Sequence, residues 1–189
     1  MIDWGEYKTI QIYRRTYGSI NQQLVPEEKS GSYHIYIDTK YWLITKKDTQ
    51  QKYFIKEYLK NFKKARCEFN LINQIRKNQK LAPFVVNAIG IDDGKLLLEY
   101  IDGISLFSKG LSVERRNKAI KKVLAFIDEI SKPSMNLFSY FEIHPNNILI
   151  KKNDEVKFVD FENLGCPSSN LYKRNVMILK KLVRQGELK

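Results

Sequence analysis

The pattern of hydrophobic and polar residues favours strands in the first half of the chain and helices in the second. The stretches "YHIYID", "YWLIT" and "KYFIKEY" are rich in aromatic and β-branched residues and are separated by polar turns, which predicts three consecutive strands joined by hairpins. An amphipathic helix carrying Glu68 is predicted next, from Phe62 to Lys77, because apolar residues recur there at helical spacing. The apolar face of this helix is predicted to contain Phe62, Ala65, Phe69, Ile72 and Ile75. Two further strands, "PFVVNAIGI" and "KLLLEYIDG", flank an Asp-Asp-Gly turn.

The second half of the chain contains the clearest helical patterns. Residues 112–131 predict a long helix with Ser112 as its N-cap, and residues 171–184 repeat a helical pattern. Between them, "NILIKKNDEVKFVDF" predicts a short hairpin that turns at Asn153 and Asp154. This order of elements predicts an α+β fold with a small antiparallel sheet lobe followed by a reduced, mainly helical lobe.

Composition and charge add that the chain is folded and strongly basic. Its 189 residues are 43% hydrophobic and 12% aromatic, which is typical of one folded domain. No apolar run approaches the roughly 20 residues that cross a bilayer, and no signal pattern follows Met1, so we expect a cytoplasmic protein. The net charge of +12 favours an anionic partner or surface, although solvated helix faces would explain the same lysines. Nucleic acid is disfavoured because no stacking motif interleaves the basic clusters.

Five residues have the chemistry and the order of a functional site. Lys56 lies at the centre of the third predicted strand, where a buried ammonium needs an anionic partner, and Glu68 on the following helix can supply it. Asn147 and Asp160 offer the amide and carboxylate oxygens that Mg²⁺ prefers. Glu142 adds a carboxylate shortly before them. Turns, caps and surface positions would explain each residue singly, but their joint spacing favours a site.

These motifs resemble those of the protein-kinase-like superfamily. "EIHPNNILI" resembles its D-x-H-P-x-N-I-L element, and "VDFEN" resembles its D-F-G or D-F-D element. The resemblance implies that Glu142 is the catalytic carboxylate and that Lys56, oriented by Glu68, holds the phosphates of ATP. It also implies that Asn147 and Asp160 bind Mg²⁺.

The same resemblance suggests the rest of the nucleotide site and the domain plan. "LLLEYIDG" resembles the hinge that pairs with adenine, which would comprise Glu99, Tyr100 and Ile101. Gly31 and Ser32, in "EKSGSYHIY", would contact the phosphates. The expected plan is a single kinase-like domain over residues 1–189. It divides into an N-terminal extension or first strand (1–30), an N-lobe (31–101) and a minimal C-lobe (102–189).

Several segments resemble more specifically the lipopolysaccharide core sugar kinases, in particular the Kdo kinase family. The similar segments are "EFNLINQI", "FIKEYLKN" and "KRNVMILKKLV". The resemblance implies phosphorylation of a small-molecule or lipid-linked sugar by ATP with Mg²⁺, at the cytoplasmic face of the inner membrane. A basic chain suits peripheral association with anionic lipid there. The sequence does not indicate an oligomeric state.

Two departures from the kinase pattern leave other functions open. The loop around Gly31 contains serines instead of the G-x-G-x-x-G pattern, so fewer backbone donors would cradle phosphate. Glu142 stands where the relatives have aspartate, and a carboxylate misplaced by about 1 Å can lower a rate on the order of a hundredfold. The alternatives are therefore a compact atypical Ser/Thr protein kinase of the RIO type, or a weakly active pseudokinase that acts as a binding module.

Overall fold

The chain divides into two compact units, each with its own antiparallel sheet. The structure is a computed structural model that describes residues 2–17, 22–26, 35–138, 140, 142–161 and 169–187. The first unit comprises Met1–Phe69 and Asn87–Tyr100, and the second comprises Asn70–Val86 and Ile101–Lys189. The predicted α+β class is confirmed by this mixture of sheets and helices.

In the part of the chain that the structure describes, six strands form the sheet of the first unit. They are β1 (Tyr7–Tyr17), β2 (Gln22–Pro26), β3 (Ile35–Lys46), β4 (Lys52–Tyr58), β5 (Ala88–Asp92) and β6 (Lys95–Glu99). Their order is β2-β1-β3-β4-β6-β5, and neighbouring strands run antiparallel. The segment 1–30 is expected to be an extension or a first strand, and its described residues include β1 and β2.

The prediction of separate strands at "YHIYID" and "YWLIT" was wrong, because the described residues of the first stretch, residues 35–38, belong to the same strand, β3, as the second. Tyr33 and His34 lie outside the described residues. The polar residues between them do not interrupt the strand, since β3 is paired on both sides there. Lys40 lies opposite Arg14 of β1 and opposite Glu57 of β4. Backbone pairing along two edges thus sustains a strand through residues that a sequence pattern assigns to a turn.

The helix predicted from Phe62 is present as α1 (Phe62–Arg76), but its buried face differs from the expected one. Ala65, Glu68 and Ile72 are fully buried, whereas Phe62 is 57% exposed. Glu68, at helical spacing from Ala65 and Ile72, therefore shares their inward face. A charged residue thus occupies a core position of this helix, where it needs a partner of opposite charge or a hydrogen-bond donor.

The Asp93-Gly94 turn between β5 and β6 has the backbone geometry that its sequence suggests. Both residues adopt positive φ, 42° at Asp93 and 75° at Gly94, as expected in a tight hairpin. A side chain at Gly94 would also collide with the ring of Phe62. Glycine is therefore required there by conformation and by space.

In its described residues, the second unit contains the end of α1 from Asn70, two further helices and a small sheet. Its further elements are β7 (Gly103–Ser105), α2 (Val113–Ile130), β8 (Ile148–Lys151), β9 (Val156–Phe158) and α3 (Ser169–Glu187). The strand order is β7-β8-β9, and the β8–β9 hairpin confirms the predicted one. Ser112 caps α2 by accepting a hydrogen bond from the Arg115 N–H, as predicted. Phe126 of α2 stacks on Phe158 of β9, with ring centroids 4.1 Å apart.

Among the residues that the structure describes, none of the helices combines the length and the apolar character needed to cross a lipid bilayer.

Candidate active site

In the first unit, β4 and α1 bring Lys56 and Glu68 into a fully enclosed ion pair. The Lys56 Nζ lies 3.0 Å from Glu68 Oε2 and donates a hydrogen bond to Oε1 at 3.2 Å. The two side chains are only 3% and 0% exposed. The structure therefore brings together the two residues that the sequence paired.

Tyr58 completes this cluster, and the sequence argument missed it. Its hydroxyl donates a hydrogen bond to Glu68 Oε2, and its ring lies 5.4 Å from the Lys56 ammonium. Lys56 and Tyr58 are two residues apart on β4, so the pleat of the strand turns both to the same face. That spacing was the signal that could have identified Tyr58. We call Lys56, Tyr58 and Glu68 the buried ion cluster.

The cluster is unusual for a protein core because each charge must leave water. An enclosed ion pair has a desolvation penalty that its mutual attraction offsets only with good geometry and further hydrogen bonds. Glu68 meets this condition, since its two oxygens accept from an ammonium and from a phenol. The arrangement fixes the direction of the Lys56 side chain within the first unit.

In the second unit, the β8–β9 hairpin brings Asn147 and Asp160 together. Asn147 ends a 3₁₀ turn just before β8, and Asp160 follows β9 by two residues. The Asn147 Nδ2 donates to Asp160 Oδ2 at 3.4 Å, and the Asn147 carbonyl accepts from the Val159 N–H at 3.0 Å. Both side chains are partly exposed. Two residues that are 13 positions apart thus form one polar site.

Asn147 and Asp160 fit a magnesium site of the kind that phosphate-transferring proteins use. Mg²⁺ is bound by one or two protein carboxylates together with phosphate oxygens and water, instead of by a cage of protein ligands. Separately, the described residues contain no group of three or more His, Cys, Asp or Glu placed to hold a metal. A half-turn of the Asn147 amide would present its oxygen beside the Asp160 carboxylate.

His144 shapes the turn that carries Asn147. Its Nδ1 accepts a hydrogen bond from the Asn146 N–H at 3.2 Å, and its carbonyl accepts from the Asn147 N–H at 2.8 Å. Pro145 is buried and stands at the first position of the 3₁₀ turn, where its missing N–H is harmless. The "HPNN" sequence therefore folds locally into the turn that positions Asn147.

Glu142, the predicted catalytic carboxylate, forms an ion pair with an arginine that the sequence argument did not consider. Arg174 of α3 places Nη2 2.5 Å from Glu142 Oε1. Glu142 is 28% exposed and Arg174 is 61% exposed, so the pair lies at the edge of the second unit. This contact depends on the packing of α3, and the sequence spacing of the two residues does not predict it.

The predicted hinge lies where the chain passes from the first unit to the second. Glu99 is the last residue of β6 and forms two hydrogen bonds with the backbone of Asn87. Its N–H donates to the Asn87 carbonyl at 2.9 Å, and its carboxylate accepts from the Asn87 N–H at 2.8 Å. Tyr100 is 37% exposed, and Ile101 is the first residue of this part of the second unit. Tyr100 and Ile101 lie outside the strands.

Gly31 and Ser32, the residues predicted to contact phosphate, lie outside the described residues. Their assignment to a nucleotide loop stays a prediction. The chain matches no protein-family model and no curated protein. The resemblance to kinase-like proteins therefore rests on the sequence motifs alone.

Proposed function

We propose that the protein is an ATP- and Mg²⁺-dependent phosphotransferase whose acceptor is a hydroxyl group of a lipopolysaccharide core sugar of the Kdo or heptose type. The observation that supports this most is the enclosed Lys56–Glu68 pair. Replacing a buried ion pair by apolar residues is often neutral or favourable for stability, so stability alone gives little reason to keep one. In kinases a strand lysine contacts the nucleotide phosphates and a helix glutamate orients it. That role gives the pair a function.

The partly exposed residues of the second unit supply the complementary chemistry. Asn147 and Asp160 would hold Mg²⁺, which neutralises charge on the transferring phosphate when it is bound. Glu142 would accept the proton of the attacking hydroxyl. By the same proposal, the first unit corresponds to the sheet lobe of kinase-like proteins and the second to a reduced helical lobe.

Support for a sugar acceptor comes from the segments that resemble the Kdo kinase family and from the charge of the chain. Lipopolysaccharide precursors are anionic and lie on a membrane surface, and a net charge of +12 favours such a partner. Glu68 stands within one of these segments, "EFNLINQI", and Lys56 stands within another, "FIKEYLKN".

Nucleotide binding is the first property to test. The melting temperature of the purified protein is measured with and without ATP and Mg²⁺, for the wild type and for Asp160→Ala. We expect a rise for the wild type, because a ligand at about 100 times its dissociation constant stabilises by roughly 2.7 kcal/mol. We expect little or no rise for Asp160→Ala. Asp128→Asn, on the exposed face of α2, is the matched control and should behave like the wild type. An equal response of all three proteins, or none, would contradict the proposed site.

The acceptor is identified by following the label of γ-labelled ATP. The protein is incubated with lipid-linked core sugar precursors and with a soluble protein extract as separate acceptors. Label in the lipid fraction, lost in Asp160→Ala, supports the sugar kinase. Label that enters protein alone would favour an atypical protein kinase. Nucleotide binding without any transfer would favour a pseudokinase that serves as a binding module.

A further inference from the structure

The helix α3 contacts the segment that leads into Glu142 at several points. Asn175 is completely buried and bridges this segment, since its Oδ1 accepts from the Ile143 N–H at 2.8 Å and its Nδ2 donates to the Phe138 carbonyl at 2.7 Å. Tyr172 lies edge-on to the Phe138 ring, with centroids 5.5 Å apart. One helix therefore fixes the backbone on both sides of residues 139–142.

The side chain of Glu142 is held by the residue that precedes Asn175 on the same helix. Arg174 Nη2 lies 2.5 Å from Oε1. Oε1 is buried and accepts no hydrogen bond within the described residues, so the contact is an ion pair whose attraction is electrostatic. The Glu142 side chain as a whole is 28% exposed. The arginine thus compensates the charge on the buried oxygen of a carboxylate that remains partly exposed.

We propose that Arg174 and Asn175 are positioning residues for the Glu142 carboxylate, and that Arg174 is the reason for a glutamate at this position. This proposal rests on the proposed phosphotransferase function. Asn175 fixes the position of the backbone at Ile143 by a hydrogen bond, and Arg174 fixes the Glu142 carboxylate by an ion pair. A shorter acid at position 142 would withdraw its carboxylate from Arg174 by roughly 1 Å. The longer side chain and the arginine form a matched pair.

The activity test compares Arg174→Ala with Arg184→Ala under saturating ATP and Mg²⁺, with formation of phosphorylated sugar as the readout. Arg184 is an exposed arginine of the same helix and serves as the matched control. We expect Arg174→Ala to lower kcat about tenfold to a hundredfold, as for a misplaced catalytic group, with KM for ATP unchanged. Added guanidinium should restore part of the loss, and Arg174→Lys should retain more activity than Arg174→Gln. Arg184→Ala should match the wild type.

The length of the acid gives a second test in the same assay. We expect Glu142→Asp to lower kcat in the wild-type background, because the carboxylate leaves Arg174. The same substitution should have little further effect in Arg174→Ala, since the partner is already gone. A rise in turnover of Glu142→Asp or of Arg174→Ala would overturn the proposal and would show that the arginine sequesters the carboxylate.

A measurement that needs no turnover separates this proposal from the proposed function. Hydrogen exchange of the Ile143 amide is compared between the wild type and two variants: Tyr172→Phe, which leaves Asn175 in place, and Asn175→Ala, which removes the acceptor. We expect protection to persist in the first variant and to fall at least tenfold in the second. If Asn175→Ala does not fold, the Glu142–Arg174 coupling energy is measured instead, from the thermal stabilities of the two single variants and the double variant. A coupling energy of zero would then refute the positioning role. If the Ile143 amide is protected and Glu142 is coupled to Arg174, but the protein does not bind MgATP, the phosphotransferase proposal is refuted. The anchoring of Glu142 by α3 would still stand. Unprotected Ile143 or zero coupling in a protein that binds MgATP would refute the positioning role.

Discussion

The two candidate groups of functional residues, one in each unit, contrast in how they are enclosed. The buried ion cluster of the first unit has two charged side chains with almost no exposure, whereas Asn147, Asp160 and Glu142 of the second unit are all partly exposed. A buried charge that loses its partner is costly, but a polar group at the surface can exchange its partner for water. Changes in the first group therefore affect folding before they affect chemistry. Changes in the second group are the cleaner probes of function.

The largest effect is expected when one member of the Lys56–Glu68 pair is removed. Lys56→Met or Glu68→Leu should lower the free energy of unfolding by about 3–5 kcal/mol, since each leaves a buried charge without its counterion. The double variant should be more stable than either single variant. Urea denaturation of the three proteins measures this. Single variants within about 1 kcal/mol of the wild type would contradict an enclosed pair.

A smaller effect is expected from Tyr58→Phe. This substitution removes the hydroxyl that donates to Glu68 and leaves the ring in place. We expect a loss of about 1.5–3 kcal/mol, the usual contribution of a hydrogen bond to a charged group. Tyr172→Phe, at a position that is 53% exposed, is the control and should change stability by less than about 0.5 kcal/mol. Equal effects of the two substitutions would mean that the phenol does not support Glu68.

Asn147→Ala tests the exposed half of the comparison. The hydrogen bond to Asp160 is long, 3.4 Å, and its members can bind water when it is lost. We expect a loss of only about 0.5–1.5 kcal/mol in the free energy of unfolding. The rise in melting temperature with ATP and Mg²⁺ should nevertheless disappear. A stability loss as large as that of the Lys56 variant would show that the two regions do not differ as described.

The smallest effect concerns an ion pair beside the β8–β9 hairpin. Arg115 Nε lies 2.5 Å from Asp154 Oδ1, and this hydrogen bond is the main cause that lowers the pKa of Asp154 below its ordinary value of 3.8. A lowered pKa means that the stabilisation is present above the unfolded value and is lost as the pH falls through the folded one. Arg115→Leu should therefore be less stable than the wild type at neutral pH, and the difference should shrink below pH 3.8.

Arg116 provides the control for this pH dependence. It is adjacent to Arg115 on α2, but its Nη2 donates to the neutral carbonyls of Ser108 and Leu111. The stability difference between Arg116→Leu and the wild type should not shrink at acidic pH in the same way. If the stability difference from the wild type depends on pH in the same way for both variants, Asp154 is not the group whose titration weakens the contact with Arg115.

The elements that the sequence predicted well are those whose pattern is local. The helices α1 and α2 and the β8–β9 hairpin follow from apolar spacing, from the Ser112 cap and from the Asn153-Asp154 turn. The error in β3 arose because the pairing of Lys40 on both sides comes from strands far along the chain. The apolar face predicted for α1 was also partly wrong, since the burial of Glu68 requires partners that stand on another element.

The sequence by itself determined the α+β class, the order of the later elements and the residue types of the candidate site, because periodicity and turn chemistry act over a few residues. Only the tertiary structure decided which side chains meet. It placed Tyr58 on Glu68, Asn147 on Asp160 and Arg174 on Glu142. The reason is physical: a hydrogen bond or an ion pair depends on distances of about 3 Å, and packing alone sets these between elements that are distant in the chain.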